Sequence, residues 1–246
     1  MKVLRNIPMA VEFMSALSEL KKHKKNIYKY RELEDYEKEK EYILKATSTW
    51  GKRIVNDLNI KINVMGKDNL PENGPVVFVA NHQGYGDIPV CCAVLDKFQT
   101  GFIAKSSLKK LPFYGEWIQN IRSVMLDRED PRESLRAIET AIGFINQGFS
   151  IVVFPEGHRS KGGEMSEFKK GSLRLATKPG VPVIPISIEG TYRLFEEKGY
   201  MQGNFTVDFL IHPAIETSGL SRTEASNLAE TVQQIVQKGL AELKNK

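Results

Sequence analysis

Pro75-Val-Val-Phe-Val-Ala-Asn-His-Gln-Gly-Tyr-Gly-Asp87 is the stretch on which the reading of this chain turns. Val76 to Ala80 is a compact apolar run bounded by Gly74-Pro75, the pattern of a buried strand. The strand ends at Asn81-His82, and a loop carrying Gly84 and Gly86 leads to Asp87-Ile88-Pro89. Asp is a favoured helix cap and Pro is tolerated in a first turn, so Asp87 is expected to open a helix. His82 and Asp87 are five positions apart, about 140° around a regular helix, which would not pair them. A tight, glycine-assisted turn would instead fold the carboxylate back onto the imidazole. Such a pair is a general base with its orienter, the carboxylate fixing the tautomer and stabilising the imidazolium. His-x4-Asp on its own also describes a satisfied loop histidine. Its position at the carboxyl end of a buried strand, where α/β sheets form their ligand crevices, favours the functional reading.

Outward from this stretch the pattern is of alternating strands and helices. Ile60, Ile62 and Val64 alternate as a strand, and a helix from Ile88 to Phe98 leads to a strand at Thr100–Lys105. A further strand is expected at Ile121–Leu126. Asp130-Pro131 caps a helix that turns Leu135, Ile138, Ile142 and Ile145 inward and stops at Gly148. Ile151–Phe154, Val181–Ile188 and Phe205–Ile211 complete the strands, with an edge or bulge proline expected at Pro185. Ser221-x-x-Glu224 is a capping box for a C-terminal helix. The expected fold is an α/β domain over residues 60–246, with a largely parallel or mixed central sheet flanked by helices.

Residues 1–59 read differently, as an N-terminal amphipathic helical hairpin with no strand-like run. Ile7, Ala10, Phe13, Met14, Leu17 and Leu20 share one face of a first helix. A second helix runs from Leu33 to Leu58, with Tyr36, Ile43, Trp50, Ile54 and Leu58 on one side. Residues 1–31 carry eight Lys or Arg against Glu12 and Glu19, a net +6 that exceeds the +5 of the whole chain. A hairpin packed on its own domain and a two-helix motif at a membrane interface both fit this pattern.

Composition narrows the rest. A 246-residue chain that is 41% hydrophobic can bury a substantial core. Its mild basic excess suits an anionic partner, and no nucleic-acid partner is expected. Cys91 and Cys92 are adjacent and unsuited to an ordinary disulfide with each other, which fits a reduced, cytosolic setting. No ligand pattern for a metal is present. No run of about 18 apolar residues or signal-peptide pattern occurs, so contact with a membrane is expected from its surface.

A second stretch, Val152-Val-Phe-Pro-Glu-Gly-His-Arg-Ser160, lies about seventy residues beyond the first. Asn81-His82-x4-Asp87 followed by Phe154-Pro-Glu-Gly-x-Arg-Ser160 resembles the glycerolipid acyltransferase family, and within it the bacterial 1-acylglycerol-3-phosphate acyltransferases. The resemblance spans roughly residues 60–210. It implies transfer of a fatty acyl group from an acyl-carrier protein or coenzyme A thioester to the sn-2 hydroxyl of 1-acylglycerol-3-phosphate (lysophosphatidic acid), giving phosphatidic acid. No cofactor is implied beyond that thioester. Glycerol 3-phosphate or another lysophospholipid is an alternative acceptor, and a non-enzymatic lipid-binding protein of this fold is the rival of another class. Absence of G-x-S-x-G counts against a hydrolase.

His82 and Asp87 are the expected catalytic pair. Backbone N–H groups near Gly84 to Gly86 are expected donors to the oxyanion. Arg159 leads the candidates for the acceptor's phosphate, because a guanidinium binds phosphate through parallel hydrogen bonds. Arg128, in Leu126-Asp-Arg128, is the second candidate and Lys105, ending a strand, the third. Glu156 and Gly157 match the family motif, and Glu156 either orients Arg159 or binds a glycerol hydroxyl. Gly84 stands where the family commonly has Ser, and His158 where it commonly has Thr. A peripheral place on the cytoplasmic face of an anionic membrane follows from the lipid acceptor and the basic N-terminal helices.

Overall fold

The continuous apolar runs become the middle of one seven-stranded sheet. The structure is a computed structural model that describes residues 15, 18, 20–111, 114–127 and 130–245. A first helix, α1, covers residues 20–32, and α2 spans Tyr36–Asp57. Then follow β1 (Lys61–Met65), β2 (Val77–Ala80), α3 (Asp87–Val94), β3 (Thr100–Lys105), α4 (Tyr114–Asn120), β4 (Val124–Leu126) and α5 (Pro131–Asn146). The chain closes with β5 (Ser150–Val153), α6 (Arg174–Thr177), β6 (Val183–Glu189), β7 (Thr206–Ile211) and α7 (Arg222–Lys244). The strand order is β1-β7-β6-β2-β5-β3-β4, with every pairing parallel except β6 with β7.

Strand β2 is buried throughout because both its faces are covered. Val77 and Val79 point to the side of α5 and α7, where they meet Ala141, Ile145, Val232 and Val236. Phe78 and Ala80 point to the other side and share a core with Ile43, Trp50 and Ile54 of α2, Val90 of α3 and Leu95 just beyond it. Helix α2 thus buries its apolar face in the same core as the sheet. It lies so close to α3 that a Cβ on Gly51 would stand 2.7 Å from backbone atoms of Pro89 and Ala93. Asp35 caps α2, accepting from Lys38 N at 3.2 Å, so the helix starts three residues later than its apolar pattern suggests. Of the first helix's expected apolar face only Leu20, which is buried, falls among the described residues. Among those residues no helix is long and apolar enough to cross a membrane.

Asp130 and the Ser221–Glu224 pair cap α5 and α7 as expected. Three details differ. Leu135, in the first turns of α5, is 45% exposed, while Ala137, Ala141, Ile142 and Ile145 further along are buried. Strand β4 begins only at Val124, since Ile121 and Arg122 belong to a turn. Pro185 sits in an interior strand, not at an edge. Its missing N–H faces β7, which has already peeled away there: the β6–β7 ladder starts at Ile186, and only His212 N reaches Pro185 O, at 3.0 Å.

Candidate active site

Strands β2, β5, β3, β4 and β6 all run the same way, so the loops that follow them gather at one edge of the sheet. That edge receives His82 after β2, Glu156 to Arg159 after β5 and Lys105 at the end of β3. At about 4.8 Å between neighbouring strands, Lys105 begins roughly 10 Å from the β2 end. Lys105 is exposed, and Arg128 lies outside the described residues.

The turn after β2 does fold Asp87 back. Asp87 is the first residue of α3, with Gly86 in the cap position. Its Oδ2 accepts from Gln83 N at 2.8 Å and Gly84 N at 3.0 Å, and lies 2.5 Å from His82 Nδ1. Its Oδ1 accepts from the Thr191 hydroxyl. A fully buried carboxylate is therefore satisfied on both oxygens. The His82 ring stacks on Phe154, centroids 4.3 Å apart and planes 20° from parallel. With Nδ1 engaged and the ring face covered, Nε2 is the free end of a side chain that is 19% exposed.

The second stretch is laced to the first through the backbone. Ser160 N donates to His82 O at 2.8 Å and Lys161 N to Gln83 O at 3.0 Å. Glu156, 1% exposed, accepts from His82 N at 2.6 Å and Ser166 N at 2.8 Å. Burial pushes its carboxyl above the ordinary glutamate value, opposed by those two amide donors. Both oxygens are thus spent on the frame around His82. Gly157, at φ 78, occupies left-handed backbone where a side chain would be strained. His158 is exposed and lies 2.9 Å from the Ser166 hydroxyl through Nε2.

Arg159 is held by a different carboxylate from the one the motif suggests. Its Nη1 donates to Glu196 Oε1 at 2.6 Å, and its guanidinium carbon lies 3.8 Å from the Tyr85 ring centroid. Glu196 Oε1 also accepts from Tyr85 N at 3.1 Å. Burial raises the Glu196 carboxyl above the ordinary glutamate value, with Tyr85 N–H and Arg159 among the groups opposing it. The amides of Gln83, Gly84 and Tyr85 are consequently committed to carboxylates, which takes up the Gly84 and Tyr85 N–H groups expected as oxyanion donors.

Sequence reasoning did not find Thr191 or Glu196, and it gave no role to Asn81 or Gln83. Asn81 exchanges two hydrogen bonds with the Ile188 backbone, at 2.9 and 2.8 Å, and so joins the β2 end to β6. Gln83 accepts from Gly190 N at 2.8 Å and donates to Glu189 at 2.7 Å. Tyr85 carried a visible signal: an aromatic between two glycines, 54% exposed.

These features define an α/β protein with a carboxylate-fixed histidine beside a half-open arginine. The acyltransferase family profile matches residues 61–189, and the chain belongs to that family. It is 35% identical over 180 residues to the chloroplastic 1-acyl-sn-glycerol-3-phosphate acyltransferase LPAT1 of Arabidopsis thaliana, covering 70% of this chain and 49% of that one. The chain thus spans about half the length of that relative. The 1-acyl-sn-glycerol-3-phosphate acyltransferase of Borreliella burgdorferi is 30% identical, over 75% of this chain and 74% of its own. The crystal structure of the 1-acyl-sn-glycerophosphate acyltransferase PlsC from Thermotoga maritima superposes with a TM-score of 0.80 at 32% identity, covering 100% of this chain and 99% of that one.

Proposed function

We propose that the chain transfers a fatty acyl group from an acyl-carrier protein or coenzyme A thioester to the sn-2 hydroxyl of 1-acylglycerol-3-phosphate, forming phosphatidic acid. The observation that carries this reading is the His82–Asp87 contact of 2.5 Å with Nε2 left free, laced to the segment that bears Arg159. His82 Nε2 takes the proton of the acceptor hydroxyl as its oxygen attacks the thioester carbonyl. The tetrahedral adduct then collapses, the C–S bond breaks, and His82 returns its proton to the departing sulfur, releasing the thiol and restoring the neutral base. Asp87 keeps Nδ1–H pointed at itself and stabilises the imidazolium. Arg159 grips the acceptor's phosphate, with Lys105 contributing from the same edge and Arg128 as a further phosphate ligand. Gly157 shapes that loop, and Glu156 acts through His82's backbone. No cofactor is invoked beyond the thioester co-substrate.

The acceptor is a membrane lipid, so we place the protein peripherally on the cytoplasmic face of an anionic bilayer, with residues 1–59 as the contact. Lys21, Lys22 and Lys25 of α1 are exposed and suited to anionic headgroups. The test is acyl transfer to lysophosphatidate, glycerol 3-phosphate and neutral monoacylglycerol. His82→Ala is expected to lower kcat by at least ~10²-fold in a folded protein, with Asp87→Asn also falling. Near-parental turnover of His82→Ala sinks the mechanism, and a preference for glycerol 3-phosphate redirects the acceptor.

A further inference from the structure

We propose that Glu196 is a positioning residue for the acceptor's phosphate, and that Gly84 is the vacancy which allows it to be one. The proposal rests on the reading of Arg159 as the phosphate ligand.

Glu196 follows the turn Thr191–Leu194, which the end of β6 delivers to the catalytic edge. Its side chain is only 3% exposed, while that of Arg159 is 27% exposed. One guanidinium N–H is fixed on Glu196 Oε1 at 2.6 Å, and one face is covered by Tyr85. Tyr85 in turn stands edge-on to Phe195, centroids 5.6 Å apart. Glu196 Oε1 also binds Tyr85's own amide, so a single oxygen sets both the cation and the ring beneath it. A guanidinium has five N–H donors, and fixing one leaves the others pre-aimed for an anion. Pre-aiming removes side-chain freedom that phosphate binding would otherwise have to suppress.

The second carboxylate oxygen carries the rest of the argument. Oε2 is buried with no hydrogen-bond partner among the described residues, an arrangement that costs free energy. It lies where a side chain at position 84 would be: a Cβ on Gly84 would come within 2.4 Å of Oε2 and 2.9 Å of the carboxyl carbon. A larger residue at 84 must therefore push the Glu196 carboxylate aside, and with it the oxygen that holds Arg159. Gly84 and Glu196 are one device, built from a turn residue next to the catalytic histidine and a residue 112 positions on.

Four variants test this: Glu196→Ala, Glu196→Gln, Gly84→Ser and the double variant Gly84→Ser/Glu196→Ala, with thermal unfolding confirming that each folds. Steady-state kinetics are read with lysophosphatidate and with neutral monoacylglycerol. Glu196→Ala should raise KM for lysophosphatidate about tenfold more than KM for the neutral acceptor. Glu196→Gln keeps an acceptor oxygen and should stay within about threefold of the parent. Gly84→Ser should reproduce the Glu196→Ala phenotype, and the double variant should be no worse than Gly84→Ser alone. Arg159→Ala runs alongside. If it loses both acceptors equally, the phosphate reading fails and this proposal falls with it. If Arg159→Ala is selective but Gly84→Ser and Glu196→Ala keep the parental KM, Glu196 alone is overturned. Should Glu196→Ala not fold, Gly84→Ser decides on the same criterion.

Discussion

Two arginines in this molecule each sit on aromatic rings and each pair with a buried glutamate, yet they are built for opposite ends. Arg122 binds Glu39 through two N–H groups, at 2.8 and 2.6 Å, and its guanidinium carbon lies within 5 Å of both the Phe144 and Phe149 centroids. Arg31 adds a third bond to the same carboxylate at 2.7 Å, and Arg122 is 11% exposed. Arg159 makes one bond to Glu196, rests on one ring, and is 27% exposed. The first pair joins α1, α2 and the turn before β4, with both carboxylate oxygens engaged. The second leaves donors unspent at the carboxyl edge of the sheet. Residue type does not separate the two arginines; the number of donors left over does, and it is what supports Arg159 as the proposed phosphate ligand.

The sharpest break of that contrast is Arg122→Ala. It leaves Glu39, fully buried, with Arg31 as its remaining partner. Removing one member of a buried pair costs about 3–5 kcal/mol, so a large drop in unfolding free energy is expected, read by urea titration. The fraction that folds should show parental kcat and KM. A loss below about 1 kcal/mol, the scale of a surface pair, would mean that the Arg122 cluster is not closed.

Arg159→Ala should do the reverse, with the main effect on KM for the phosphorylated acceptor. Arg159→Lys is expected to fall between, since it keeps charge but not the planar fork. A pH dependence follows. Burial already raises the Glu196 carboxyl above the ordinary 4.5, and Arg159 opposes that rise. Without Arg159 the folded state binds the Glu196 proton more tightly than the unfolded chain does. Stability of Arg159→Ala should therefore match the parent best at low pH and decline relative to it as pH rises past the ordinary glutamate range. Unfolding midpoints at pH 5 and pH 8 check this, and an equal offset at both pH values would show that Arg159 does not hold that carboxylate.

The strands and most helices were legible because each is written locally. Val76 to Ala80 is apolar without a break, and Asp130-Pro131 and Ser221-x-x-Glu224 carry their own caps. His82 and Asp87 were legible because only four residues separate them, two of them glycines that permit a tight turn. Glu196 was not, since nothing near it in sequence refers to Arg159, 37 positions away. The tie between Glu39 and Arg122, 83 positions apart, was invisible for the same reason. Leu135 misled because an i, i+3, i+7 pattern through Ile138 and Ile142 fits a helix face, while small Ala137 and Ala141 are what let α5 approach the sheet. Pro185 misled because a proline in a central strand is tolerated only where its neighbour departs, and that departure is tertiary.

The smallest expected effect comes from a third cation–glutamate pair on a ring, and it completes the gradient of closure. Lys24 of α1 donates to Glu116 of α4 and lies 5.6 Å from the Tyr28 centroid, with side chains 44% and 51% exposed. Such a pair is solvated and electrically neutral as a unit, so it should contribute little to stability and little to attraction toward an anionic surface. Lys25, beside it, is exposed and has no ion-pair partner among the described residues. If α1 faces anionic lipid as proposed, Lys25→Ala should weaken co-sedimentation with anionic vesicles about fivefold at moderate salt. The double variant Lys24→Ala/Glu116→Ala, which removes one charge of each sign, should bind within about twofold of the parent and unfold at the parental temperature. The difference between the two variants should close as salt rises, because screening acts on the charge of Lys25. If the neutral pair's removal weakened binding as much as loss of Lys25, the pair would be more than a solvated tie. Parental binding by Lys25→Ala would instead move the lipid-facing surface away from this side of α1.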